Sequence, residues 1–303
     1  MDGRRAGLID GLIGVTMFSG SLVATRFAVI GLDPLFSTHA RATGAAILAG
    51  IALAIAPKPL PRPREFVALA VVAATVVVGF PLFSALALRE IGAGRATLFI
   101  GLLPLFTAAF AIARGATAPR PTFWLFALAG SAVVASYALS GSLSGTLRGD
   151  GFIMAAVVSA GLGYAEGARL STRLGGWRVI SWAVVIALPW ALAGTISEWP
   201  DWSRVPASSL GGLAYTAAIS QWLGFVFWYR GLERGGVAAV SQLQLLQPFL
   251  GLILAGLLLG ETIGLGLIAA TVAVVGCIVG ARMAAARPRV APTPVPILTD
   301  SAP

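Results

Sequence analysis

Charge is scarce in this chain. Only 11% of its 303 residues are charged, against 57% that are hydrophobic. A water-soluble domain of this length needs far more charge to cover its surface, so that class is excluded. Cysteine is nearly absent: Cys277 stands alone, which rules out an intramolecular disulfide or a cysteine metal cluster. A small buried apolar role is expected for it. His39 is the single histidine and no paired carboxylate motif occurs, so no metal site is expected. A glycine-rich phosphate loop ending in lysine is also missing, which argues against ATP drive. Intramembrane serine proteolysis requires an activated serine with a positioned base. Ser19 lies in Phe18-Ser19-Gly20-Ser21, the wrong local pattern, and no second histidine exists. Neither an enzyme activity nor a cofactor is expected.

What the chain has is apolar length. Blocks such as Phe66 to Leu88 and Leu265 to Met283 match the hydrocarbon thickness of a bilayer, about 20 residues of helix. Mean hydropathy is +0.89. Glycine and alanine are abundant in these blocks, and small residues let membrane helices approach closely. Turn and charge signals predict ten spans, at approximately 7–29, 35–56, 66–88, 93–114, 122–140, 151–172, 178–197, 208–230, 236–259 and 263–283. Arg4 and Arg5 precede an apolar stretch that runs on to Ile30, so the first span is read as uncleaved. The tail at 287–303 is proline-rich without apolar period and is expected to be disordered.

The net charge is +9. The basic residues sit at block ends rather than in one patch, so membrane lipid and not nucleic acid is the expected contact. Fifteen of the 21 Lys and Arg fall on the side that holds both termini, and five on the other, with Arg41 inside a span. Both termini should therefore be cytoplasmic, which requires an even number of spans.

Sliding the chain against itself by 144 residues aligns Leu48-Ala49-Gly50 with Leu192-Ala193-Gly194, Phe83 with Phe227 and Pro104 with Pro248. One offset serving every span indicates an internal duplication. The expected units are 1–145 and 146–286, five spans each. An odd unit reverses direction, so the halves should be inverted in the membrane. That is the plan of carriers with a midplane site, although some channels share it. No ring of one charge or filter sequence favours a channel.

Three segments resemble the drug/metabolite transporter superfamily in its EamA-type ten-helix form. The first is Met17-Phe18-Ser19-Gly20-Ser21 through Pro34 to Arg41. The second is Ala87-Leu88-Arg89-Glu90-Ile91-Gly92-Ala93-Gly94-Arg95-Ala96 through Leu102-Leu103-Pro104. The third is Gly231-Leu232-Glu233-Arg234 through Gln247-Pro248 to Leu259-Gly260-Glu261. The first half departs from the pattern at Ala113-Arg114-Gly115-Ala116-Thr117, where a Gly-Glu pair would be usual. Within the superfamily the chain is most similar to YddG-type exporters of aromatic and other amino acids. The resemblance implies an all-α basket of ten helices around a central cavity, with the fifth and tenth spans outside it. It also implies export of small amphipathic metabolites across the bacterial inner membrane by alternating access. Drugs or other metabolites are the alternative cargo. A ten-helix monomer is large enough to enclose its own path.

Polar residues inside apolar spans are costly and therefore carry the functional expectations. His39 and Arg41 are candidates for contact with a substrate carboxylate or for proton coupling, against an interfacial role. Glu166 is a candidate coupling carboxylate, against a structural pair with Arg169 or Arg41. Gln242, Gln244 and Gln247 precede Pro248 and can hydrogen-bond a zwitterion without a buried charge, or simply join helices. Pro104 and Pro248 are expected hinges. Phe83, Phe99, Tyr164 and Trp222 are candidates to stack on a substrate ring, with core packing as the competing role. Gly20, Gly79, Gly161 and Gly163 are expected to serve packing or bending.

Overall fold

The structure, a computed structural model, describes residues 3–56, 59–115, 121–139, 145–235, 243 and 246–286. Every regular element among them is helical. Among the described residues, seven helices are long and apolar enough to cross a membrane: Arg5–Gly31, Pro34–Ile55, Pro63–Glu90, Ala93–Ala113, Leu147–Leu174, Gly176–Ser197 and Ala207–Gly231. Shorter apolar helices occupy Pro121–Tyr137, Gln247–Leu259 and Leu265–Gly280. Numbered in chain order these are spans 1 to 10. The chain is a polytopic all-α membrane protein.

Local sequence sets the ends. Asp33 accepts a hydrogen bond from the Leu35 backbone N–H at 2.8 Å while Pro34 occupies the first turn, which starts span 2. Thr146 accepts from Gly149 N–H at 2.9 Å and starts span 6. Gly175 at φ +78° separates spans 6 and 7, and left-handed Gly260 at φ +66° ends span 9.

Equivalent spans of the two halves lie side by side and antiparallel. In spans 2 and 7, His39 lies against Gly194 and Glu198, while Thr43, further along, meets Thr195, hydroxyl to hydroxyl at 3.1 Å. In spans 5 and 10, Gly130 meets Cys277 and Tyr137 meets Gly266. Matching spans related in this way have the arrangement of inverted repeats. The exchanged pairs agree: span 1 runs antiparallel to span 8 through Gly14 and Trp228, and span 3 runs antiparallel to span 6 through Thr75 and Gly163. Glycine makes these crossings possible, because a Cβ on Gly231 would lie 2.6 Å from the Gly11 backbone nitrogen.

Among the described residues, four of the spans are not continuous α-helix. Span 1 breaks at Gly20, and the Tyr215 hydroxyl donates to the carbonyl of Met17 there at 2.8 Å. Span 4 breaks between Ile100 and Leu103, immediately before Pro104, which lacks the N–H that would carry the ladder through. Pro248 holds the matching place in the first turn of Gln247–Leu259. Span 3 contains a π-helical stretch at Ala73–Gly79 and span 8 one at Tyr215–Leu223. The 144-residue offset superimposes these two stretches. Their equivalence is a structural signature of the duplication that residue identities alone carry weakly.

Candidate functional site

The middles of spans 1, 3, 6 and 8 meet around a small central chamber of about 30 Å³. These spans form two symmetry-related pairs, so the chamber lies where the halves exchange. Span 2 adds Arg41 and the start of the Gln247–Leu259 helix adds Gln247. The aromatic wall is Phe18, Phe80, Tyr164 and Phe225, with Phe18 edge-on to Phe225 at 4.9 Å. The polar wall is Ser21, Ser220, Gln221, Gln247 and Arg41. Ser21 and Ser220 share a hydrogen bond of 2.7 Å across the halves. Gln221 points its amide nitrogen at the Val76 carbonyl, 3.5 Å away.

Arg41 is the unusual member. It is 4% exposed, and its Nε is buried without a hydrogen-bond partner. Among the described residues no ion pair or hydrogen bond engages its guanidinium. Nor does any carboxylate line the chamber.

The other expected site residues divide clearly. Tyr164 and Gln247 line the chamber with Arg41. His39, two residues from Arg41, faces away: its Nδ1 lies 2.9 Å from Glu198 Oε2 and its ring packs edge-on to Trp190 at 4.2 Å. Phe83 and Phe99 belong to an apolar cluster that joins spans 1, 3, 4, 5, 6, 9 and 10. Trp222 packs on a second cluster and donates its indole N–H to Ser181 at 3.0 Å. Gln242 and Gln244 lie outside the described residues. Ser21, Ser220 and Gln221 were not among the expected residues. The amide of Gln221 in mid-span was the available signal.

Glu166 is fully buried and sits between two arginines. Arg169 on its own helix bonds Oε1, and Arg114 at the end of span 4 approaches Oε2 at 2.9 Å in ion-pair contact. Arg114 comes from the first half and Glu166 from the second. Toward the same end, Arg230 of span 8 holds Asp10 of span 1 in a two-pronged pair at 2.7 and 2.9 Å. At the opposite end, Arg95 grips Asp150 at 2.6 and 2.8 Å with both side chains nearly inaccessible. Glu261 reaches from the turn after span 9 to the backbone N–H groups of Ala93 and Gly94, at 2.7 and 2.8 Å. This caps span 4 with a carboxylate where the helix dipole favours one. A larger cavity of about 380 Å³ opens beside that cap, with Arg26, Arg89 and Arg95 on its wall. Ion pairs thus tie the halves together both above and below the chamber.

Comparison with known proteins agrees with this architecture. The EamA-like transporter family matches the chain twice, over residues 5–139 and 147–283. The uncharacterized transporter YdeK of Bacillus subtilis (strain 168) is 51% identical over 283 residues, covering 93% of this chain and 99% of that one. A solved crystal structure shares the fold with a TM-score of 0.64 at 18% identity, over 92% of this chain and 99% of the other. With both halves matched and the inverted ten-helix plan in place, the chain belongs to the EamA-like transporter family and is a multi-pass membrane transporter.

Proposed function

We propose that the protein exports small amphipathic metabolites, amino acids including aromatic ones among them, across the bacterial inner membrane by alternating access. The observation that carries this reading is the mid-span chamber at the crossing of two inverted halves, lined by both aromatic and polar side chains. A chamber of about 30 Å³ holds roughly one water molecule. Loading a metabolite therefore requires the halves to part. The paired π-helical stretches in spans 3 and 8 flank the chamber and supply places where those helices can bend. Polar ties at each end then act as gates: the Glu166–Arg114 and Asp10–Arg230 ion pairs at the end of the termini, the Arg95–Asp150 ion pair and the His39–Glu198 hydrogen bond at the other. One set opens while the other holds. Both termini are cytoplasmic in this reading, and proton coupling enters through Glu166 or His39.

Flux of labelled amino acids in proteoliposomes, with and without an imposed pH gradient, tests it. Ala160→Trp, which fills the chamber, serves as the blocked control. Flux in the native protein that is lost in the control supports the reading. Equal flux in both overturns the route. A flux of drugs with none of amino acids replaces the cargo.

A further inference from the structure

We infer that the central chamber selects cargo bearing a carboxylate, and that Arg41 is the residue that grips it. The inference rests on the transport reading above and narrows the cargo by charge.

A guanidinium taken out of water costs several kcal/mol even after the protein relaxes around it. The other buried arginine among the described residues is compensated: Arg95 faces Asp150 through two hydrogen bonds. Arg41 has no such partner among the described residues, though it is as deeply buried. Among the described residues nothing offsets its desolvation. The groups that line the cavity with it are the neutral hydrogen-bonding side chains of Ser21, Ser220, Gln221 and Gln247 together with aromatic rings. A planar donor fork of this kind matches a carboxylate in two parallel hydrogen bonds. An incoming anion therefore gains the full attraction of a desolvated cation that is already in place. An ammonium group finds the reverse. It meets Arg41 as a like charge and finds no carboxylate among the described residues of the chamber wall.

The two halves divide the work unequally. At the 144-residue offset Val76 matches Ser220, Val77 matches Gln221 and Val185 matches Arg41. The single cation is thus unmatched, and the cargo has one orientation: its carboxylate toward span 2 and its apolar body among Phe18, Phe80, Tyr164 and Phe225. An α-amino group is accepted only through neutral acceptors such as the glutamine carbonyls and serine hydroxyls. The class is a small monocarboxylate with an aromatic or apolar body, amino acids included.

The test uses purified full-length protein and three probes that share one ring: phenylalanine, its deaminated acid 3-phenylpropionate and its decarboxylated amine phenethylamine. Binding is read by thermal shift and movement by flux in proteoliposomes. The expectation is that both carboxylates raise the melting midpoint and compete for flux, and that the amine does neither. Arg41→Gln should abolish the shift and reduce carboxylate flux at least tenfold, while melting no lower than the native protein, because an uncompensated buried charge has been removed. Arg41→Lys should retain part of the binding. Stabilisation by the amine equal to that by the acid overturns the inference and leaves the carrier intact. So does undiminished carboxylate binding in Arg41→Gln. Stabilisation by the acids without flux of any probe upholds the anion site and refutes the carrier reading instead.

Discussion

Neutralising Glu166 separates a gate from a structural brace. At 2.9 Å the attraction between Arg114 and Glu166 is about 6 kcal/mol at an effective dielectric of about 20. Burial of the carboxylate opposes this by several kcal/mol. Arg114 and Arg169 retain 43% and 60% of their side-chain exposure, so both return to water cheaply when the carboxylate becomes an amide. The balance leaves about 1–2 kcal/mol for the pair, well below the full attraction. Glu166→Gln should therefore fold, with a small fall in melting midpoint. Released in a tie between the halves, about 1–2 kcal/mol changes the ratio of two conformations by a factor of roughly 5–30. Flux should change by a comparable factor. Arg114→Gln should reproduce the effect, and the double variant should be no worse than the more affected single one, because both remove the same contact. Fluorescence-detected melting in detergent and flux in proteoliposomes measure the two quantities on one preparation. Native flux in both variants would refute the gating argument. Loss of more than about 3 kcal/mol in Glu166→Gln would make the residue a brace.

Other expectations follow from the same geometry. Asp150→Asn should destabilise, since it removes the carboxylate that the buried Arg95 grips through two hydrogen bonds, and Arg95→Met with Asp150→Leu should recover part of that loss in the same melting assay. Gly231→Ala should lower the yield of folded protein, because its Cβ would meet the Gly11 backbone nitrogen at 2.6 Å, whereas Gly211→Ala meets nothing within 4 Å and should melt as the native protein does or higher. In a Cys277→Ser background, Thr43→Cys with Thr195→Cys should form a disulfide under mild oxidant, visible as a mobility shift after cleavage between the halves. Absence of that link would contradict the antiparallel pairing of spans 2 and 7.

The fold was legible because a bilayer imposes one length and one polarity on every span. The duplication was visible too, since Pro104 and Pro248 keep their register across 144 residues. What hydropathy does not encode is direction around a helix axis. His39 and Arg41 are equally costly in a hydropathy profile, yet two residues on a helix point to nearly opposite sides. One therefore packs between spans 2 and 7 and the other enters the chamber. Partners far apart in sequence were hidden for the same reason. Arg95 and Asp150, or Asp10 and Arg230, become a pair only once the spans are assembled. The interruptions were half legible. Pro104 announces a break in span 4, but nothing in Ala73–Gly79 marks a change of helical winding.

That winding makes the effect of a deletion depend on where it falls. A π-turn holds one residue more than an α-turn of the same rise. Deleting a single residue from Tyr215–Leu223 would let the ordinary ladder close over that rise and leave the rest of span 8 in phase. Phe225 would stay at the chamber and Gly224 against Phe18. The same deletion in the α-helical part of span 8 would turn everything beyond it by about 100° about the axis and should be far harsher.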